Sequence, residues 1–163
     1  MKTLLILRHA KSGWKDEDIP DHDRPLSTRG KRDAPRMGQV ALEQGLVPDL
    51  VVSSTAKRAR KTAAKFSETC GYDGPVQCEK QLYHGGPDEW IQVLCDLPDQ
   101  HACILLVGHN PGMEQLLHLL TGQYVMMPTA ALAHVALPIQ QWQLLQDGLQ
   151  GSLIQMWRPR ELP

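Results

Sequence analysis

Basic residues suited to holding and transferring a phosphoryl group stand at the ends of apolar runs in this chain. The run Leu4–Leu7 ends in Arg8-His9, and Ile104–Val107 ends in Gly108-His109-Asn110-Pro111-Gly112. An apolar run of that length, bounded by a turn, reads as a buried strand. Both histidines then sit just past the carboxyl ends of interior strands, where open α/β sheets bind their ligands. A third run, Asp49–Ser53, leads into Ser54-Thr55-Ala56-Lys57-Arg58-Ala59-Arg60-Lys61-Thr62. Its cations crowd the first turns of a helix, where the macrodipole disfavours each by ~0.3–1 kcal/mol. An anion held at that helix N-terminus offsets the cost. Arg58, in the first turn, is the candidate to hold it; Lys57, Arg60 and Lys61 read as solvated surface charges.

Arg8, His9, Arg58 and His109 together suit an oxyanion, above all phosphate. Neutral imidazole attacks phosphorus and can carry the phosphoryl group covalently. Guanidinium groups grip the equatorial oxygens in a fork and stay charged at physiological pH. A second histidine, protonated, adds a donor to the charge spread over those oxygens. With that positive charge in place no metal or cofactor is required, and the cysteines and histidines lack ligand spacing. Ser12 follows closely enough to contact the phosphate in an anion nest.

The elements that must position these residues follow from periodicity. Strand signals fall at Thr3–Leu7, Asp49–Ser53, Pro75–Glu79, Ala102–Val107, Ala133–Pro138 and Leu153–Trp157. Helical period appears over Thr55–Cys70 and Pro87–Leu97. Asn110 and Pro111 read as the N-cap and first turn of a helix reaching about Thr121, closed by Gly122. Pro35 predicts a kink in Ser27–Gln44, or a helix that starts only near Asp33. Strand–helix alternation gives an α/β fold, a mostly parallel, roughly six-stranded open sheet with helices on both faces. Gln140–Gly148 is short for a crossover, so at least one antiparallel pairing is expected at that side.

The chain has 163 residues, 42% hydrophobic and 21% charged, with a formal net charge of −1. One domain spanning residues 1–163 is expected. So balanced a charge argues against a nucleic-acid or membrane surface. No run is long enough to span a bilayer, and the N-terminal run reads as a strand rather than a signal peptide. Cys70, Cys78, Cys95 and Cys103 read as buried free thiols of a cytoplasmic protein, expected to be monomeric. Trp14, Trp90, Trp142 and Trp157 are scattered singly and make no stacking platform. His22 reads as a solvated loop residue and His101 as part of a polar turn. His118 and His134 read as satisfied packing residues. Asp23 and Arg24 are candidates to brace the first loop.

At the level of motifs the chain resembles the histidine phosphatase superfamily, in particular its compact SixA-like phosphohistidine phosphatases. The residues concerned are Arg8-His9-Ala10-Lys11-Ser12, Asp23-Arg24-Pro25-Leu26-Ser27-x-Arg29-Gly30, Ser53-Ser54-x-x-x-Arg58-Ala59-x-x-Thr62 and Gly108-His109-Asn110-Pro111. The resemblance implies a phosphoglycerate mutase-like three-layer α/β/α sandwich. It makes His9 the phosphorylated nucleophile and Arg8, Arg58 and His109 the phosphate pocket. Only Gly71–Lys80 is available where larger relatives insert a helical lid, so no lid subdomain is expected and the site should be open. Many members place a glutamate general acid after the third strand, where this chain has Gln81. Glu79, His84, Asp88 and Glu89 are nearby substitutes that the sequence does not rank. These features imply a phosphatase acting on a phosphohistidine-containing protein. The alternatives are a phosphomonoesterase for a small phosphorylated substrate and a non-catalytic phosphoprotein-binding module.

Overall fold

The computed structural model describes residues 1–13 and 18–163, so Trp14 lies outside the described residues. The apolar runs form the strands β1 (Lys2–Arg8), β2 (Leu50–Ser54), β3 (Val76–Glu79), β4 (Cys103–Gly108), β5 (Leu132–Leu137) and β6 (Ser152–Trp157). They make one six-stranded sheet in the order β3-β2-β4-β1-β5-β6. β1, β2, β3 and β4 are mutually parallel, whereas β5 is antiparallel to both β1 and β6. The expected antiparallel side is therefore present.

Alternation along the central strands builds the three layers, because successive side chains leave opposite faces of a sheet. Leu5, Leu7, Val51, Leu105 and Val107 pack with Met37, Ala63 and Phe66 of α1 (Thr28–Glu43) and α2 (Lys57–Cys70). Leu4, Ile6, Val52, Ile104 and Leu106 pack on the other face with Trp90, Leu94, Met113 and Leu117. Those partners belong to α4 (Pro87–Cys95) and α5 (Gly112–Thr121), while the single turn α3 (Gln81–His84) connects β3 to α4. Only residues 71–75 separate α2 from β3, and no lid subdomain is inserted there.

Three local expectations are corrected. The helix carrying Pro35 does not start near Asp33 but runs from Thr28 to Glu43, and the Ser27 side chain accepts from Gly30 N to cap it. An interior proline costs ~3 kcal/mol or more, but this one is overridden by packing. Ala34, Met37 and Ala41 are fully buried, and burying a methionine alone contributes ~1.5–3 kcal/mol. The Pro35 carbonyl also accepts from Thr69 Oγ1 of α2 at 2.7 Å. At the second motif Pro111 takes the N-cap position and α5 begins at Gly112, one residue later than the cap reading placed it. Asn110 still braces the turn, its Oδ1 accepting from Glu114 N at 3.3 Å. Finally, Cys78 is exposed and Cys103 half-buried; only Cys70 and Cys95 are buried thiols. Cys78 lies on β3, an edge strand with a neighbour on one side only.

Gly38 is where α1 and α2 approach most demandingly. A Cβ there would lie 2.0 Å from Thr69 Oγ1 and 2.3 Å from the Phe66 carbonyl oxygen. Gly38→Ala should therefore destabilise the protein by at least ~1–3 kcal/mol, the usual cost of overpacking. Urea unfolding measures this, and a neutral substitution would show that the two helices can part without cost.

Candidate active site

The parallel register of β1 and β4 sets Arg8 opposite Gly108, so the two following histidines emerge side by side. The His9 and His109 ring centroids are 5.0 Å apart with an interplanar angle of 52°. β2 pairs with the other edge of β4 and delivers Ser54, whose Oγ lies 2.7 Å from His109 Nε2. Arg58 follows in the first turn of α2 and is buried. Thr62, one turn later, joins the pieces: its Oγ1 accepts from Ala10 N at 2.9 Å and donates to the Arg58 carbonyl at 2.7 Å.

The structure thus brings Arg8, His9, Arg58 and His109 to one sheet end. Ser12 is buried close by, but its hydroxyl accepts from the Arg24 guanidinium. Of the other α2 cations, Arg60 and Lys61 are exposed and Lys57 is half-buried. Arg60 is turned back onto the Thr55 carbonyl.

His9 Nδ1 is 2.8 Å from the Ala10 carbonyl, which can only accept, so Nδ1 carries the proton. Nε2 then holds the lone pair when the ring is neutral. Burial pushes the His9 imidazole down to about 3; the Ala10 hydrogen bond opposes this, and the His109, Arg58 and Arg8 charges reinforce it. Burial likewise lowers His109 to about 4, with Arg58 adding to the shift and Asp21 opposing it. The expectation of a protonated second histidine is therefore corrected for the free protein. Desolvation among like charges holds both rings neutral. Arg8 is lowered by burial and supported by the Glu114 charge, and its Nη1 donates to Met127 O at 3.1 Å. Arg8 Nε and His109 Nδ1 are buried without a hydrogen-bond partner among the described residues. Unpaired polar atoms are costly in a core and common where a ligand completes them.

Two residues of the site escaped sequence reasoning. Asp21 caps the Arg58 fork, accepting from Nη1 on its carbonyl at 2.8 Å and from Nη2 on Oδ2 at 3.1 Å. Its carboxylate also accepts from Arg24 at 2.9 Å and from the Tyr83 hydroxyl at 2.7 Å. Desolvation would raise this carboxyl, but the Tyr83 and Arg24 hydrogen bonds and the Arg58 charge bring it down to about 2. Asp21, not Asp23, is the brace for Arg24. In the short 3-10 turn Asp21–Asp23 both aspartates are exposed, but Asp21 reaches Arg24, Arg58 and Tyr83 whereas Asp23 lies beside His22. Tyr83 packs edge-on to His109 with centroids 5.5 Å apart. The i, i+3 spacing of Asp21 and Arg24 was the available signal for the first; nothing in the sequence singled out Tyr83.

Other assignments shift as well. His22 is a rim residue rather than a purely solvated one, with Nε2 at 2.9 Å from Thr55 Oγ1 and its ring against Tyr83. His118 is half-buried and stacks on exposed Tyr124, and its Nδ1 has no hydrogen-bond partner among the described residues. His134 is also only half-buried. Among the acid candidates, Glu79 accepts from Gln77 and Glu89 caps α4 through Gly86 N. Gln81 and His84 are exposed.

This geometry has known counterparts. Residues 4–84 match the model of the histidine phosphatase superfamily (branch 1). The chain belongs to that superfamily. An uncharacterised chloroplastic protein of Arabidopsis thaliana is 33% identical over 138 residues, covering 78% of this chain and 63% of its own length. The chain thus spans just under two thirds of that relative. A Nakamurella multipartitia protein put forward as the phosphohistidine phosphatase SixA superposes with a TM-score of 0.85 at 28% identity, covering 97% of this chain and 96% of that one. The protein histidine phosphatase SixA complexed with tungstate has the same fold, with a TM-score of 0.85 at 22% identity over 99% of each chain. These likenesses place the chain in the SixA-like branch.

The neutral histidine pair has a consequence for stability. In the unfolded chain both rings titrate near 6.5, so below that pH the unfolded state binds more protons than the native state. Stability should fall with decreasing pH by about 1.4 kcal/mol per pH unit for each ring, until the native rings protonate near 3 and 4. Urea unfolding of the wild type and His109→Ala between pH 7 and 4.5 tests this. The variant should show the shallower loss, and equal slopes would mean that His109 is not held neutral.

Proposed function

We propose that this protein is a metal-independent phosphatase that works through a phosphohistidine intermediate on His9 and removes phosphate from phosphohistidine on another protein. The observation that carries the reading is the state of His9. Its ring is neutral, its Nδ1–H is fixed on the Ala10 carbonyl, and its Nε2 lone pair lies among Arg8, Arg58 and His109. In the first step Nε2 attacks phosphorus as the bond to the leaving group breaks. In the second, water attacks the same phosphorus, the P–Nε2 bond breaks, and phosphate leaves with His9 neutral again. Arg8 and Arg58 hold the equatorial oxygens. A phosphoryl dianion beside His109 supplies the negative charge that draws a proton onto that ring, making it the additional donor. Ser12, already tied to Arg24, is the further oxygen contact at the pocket edge.

The leaving group decides the substrate class. The group that meets His109 from α3 is the Tyr83 phenol, which already donates to an ionised Asp21. Glu79 and Glu89 are engaged elsewhere, His84 and Asp88 are exposed, and Gln81 has no acidic proton. Alkoxide departure normally needs an acid worth ~10²–10⁴-fold. Imidazole, once protonated from solvent, leaves as a neutral base. The absence of an inserted lid after α2 leaves room for a side chain still attached to its protein. We also place the protein in the cytoplasm, as a monomer, on its free thiols and balanced charge.

Rapid quench with labelled substrate should trap an acid-labile, alkali-stable phosphoenzyme that His9→Ala abolishes together with turnover. Normal turnover by that variant would remove His9 from the reaction. Arg58→Ala should lower kcat/KM by about a hundredfold or more, as for loss of one preorganised donor. Arg60→Ala should resemble wild type, and the opposite ranking would reassign the phosphate contact.

Across a substrate panel, phosphohistidine peptide should react fastest, aryl phosphates next and alkyl phosphates far behind, with activity surviving EDTA. Efficient alkyl phosphate hydrolysis would favour the small-molecule phosphomonoesterase. No turnover of any phosphate would favour a phosphoprotein-binding module.

A further inference from the structure

Beside the phosphate pocket lies a second, strongly cationic groove of about 360 Å³, lined by Arg29, Arg32 and Arg36 of α1 and by Arg160. One carboxylate, Asp33, faces all three α1 arginines and is almost fully buried. The N···O separations are 3.6, 3.3 and 3.4 Å, longer than a tight charge-assisted bond, so one carboxylate is shared loosely among three guanidinium groups. Arg160 has no ion-pair partner among the described residues and is exposed, and the Arg32 side chain is 65% exposed. The chain as a whole has a formal net charge of −1, so this excess is local and not general basicity. Three like charges along one helix stripe, starting at the N-terminal turn, also oppose helix formation.

The topology puts this groove at the catalytic end of the sheet. β6 runs parallel to β1, because each is antiparallel to β5, and Trp157, Leu132 and Leu7 lie in register. The short turn Pro159–Glu161 therefore emerges at the same edge as His9. α1 starts just after Ser27, whose N–H and hydroxyl both donate to the Lys11 carbonyl. Residues 127–130 link the groove to the phosphate pocket through hydrogen bonds. Met127 O and Ala130 N hold Arg8, Ala130 N also donates to the His9 carbonyl, and Thr129 Oγ1 accepts from Arg29 at 3.3 Å.

We infer that this groove is a docking surface for an acidic stretch of the phosphorylated partner protein, lying next to the side chain that enters the pocket. The planar guanidinium fork matches carboxylates in pairs. Such complementarity steers encounter and fixes which phosphorylated surface is presented to His9. The inference rests on the protein-phosphatase reading for its partner, and its test separates the two.

The probes are two synthetic phosphohistidine peptides, one flanked by Asp and Glu and the other by Asn and Gln. The same acidic peptide without phosphate is used for binding by fluorescence anisotropy. Wild type should favour the acidic phosphopeptide by about fivefold to tenfold, chiefly through KM, and less at high salt. The variant Arg32→Gln/Arg160→Gln keeps Arg29 and Arg36 on Asp33 and should fold. It should lose that preference and the anisotropy signal while hydrolysing an aryl phosphate as wild type does. Equal turnover and equal binding of acidic and neutral peptides would overturn the groove assignment and leave phosphohistidine hydrolysis standing. Salt-sensitive binding of the acidic peptide, lost in the variant, with neither phosphopeptide hydrolysed, would sink the substrate reading and support the groove. Tighter binding of a single-stranded DNA oligonucleotide than of the acidic peptide would overturn the assignment to a polypeptide.

Discussion

The parallel pairing of β1 with β4 is the constraint on which the site depends. Slipping that register by one residue would turn every side chain of β1 to the opposite layer. Leu4 and Ile6 would then exchange places with Leu5 and Leu7, and both cores would fail. Two buried faces therefore fix the register, and the register places His9 beside His109. The active geometry is a by-product of core packing that is specified on both sides of the sheet.

What the register leaves open is closed by a few long-range hydrogen bonds. Thr62 couples the chain after His9 to the first turn of α2, tying the backbone of Arg58 to that of the His9 loop. Asp21 holds the Arg58 guanidinium at two points and engages Arg24 and Tyr83 with the same carboxylate. Glu114 Oε1 accepts from Asn110 Nδ2 and from Met127 N, steadying the loop on which Arg8 rests. Arg8, Arg58 and His109 are thus each oriented by a partner distant in sequence, and His9 by the adjacent Ala10 carbonyl. Such preorganisation lets a charged pocket work without reorganising at the moment of reaction.

Electrostatics in this site run in two directions. Crowding buried imidazoles among arginines suppresses protonation of both rings, which is what a nucleophile requires. The same crowding is electrostatically costly, a cost that negative charge nearby offsets. The ionised Asp21, beside Arg58 and outside the histidine pair, provides partial neutralisation without supplying an acid.

The amino-acid sequence by itself determined the strands, the parallel core of the sheet and its antiparallel side, because apolar runs and short connections are local properties. It also picked out Arg8, His9, Arg58 and His109, since residue type at strand ends and motif order are visible without coordinates. Tertiary structure alone decided the matters that depend on neighbours distant in sequence. Packing of α1 on α2 outweighed the local penalty of Pro35 and kept that helix whole. The edge position of β3 exposed Cys78. The contacts of Asp21 with Arg58 and with Tyr83 span 37 and 62 residues, and the packing of Tyr83 against His109 is also distant in sequence, which no local pattern encodes. Protonation was likewise decided in the fold, because an imidazole's charge is set by the water it loses and the guanidinium groups it gains only when the chain is closed.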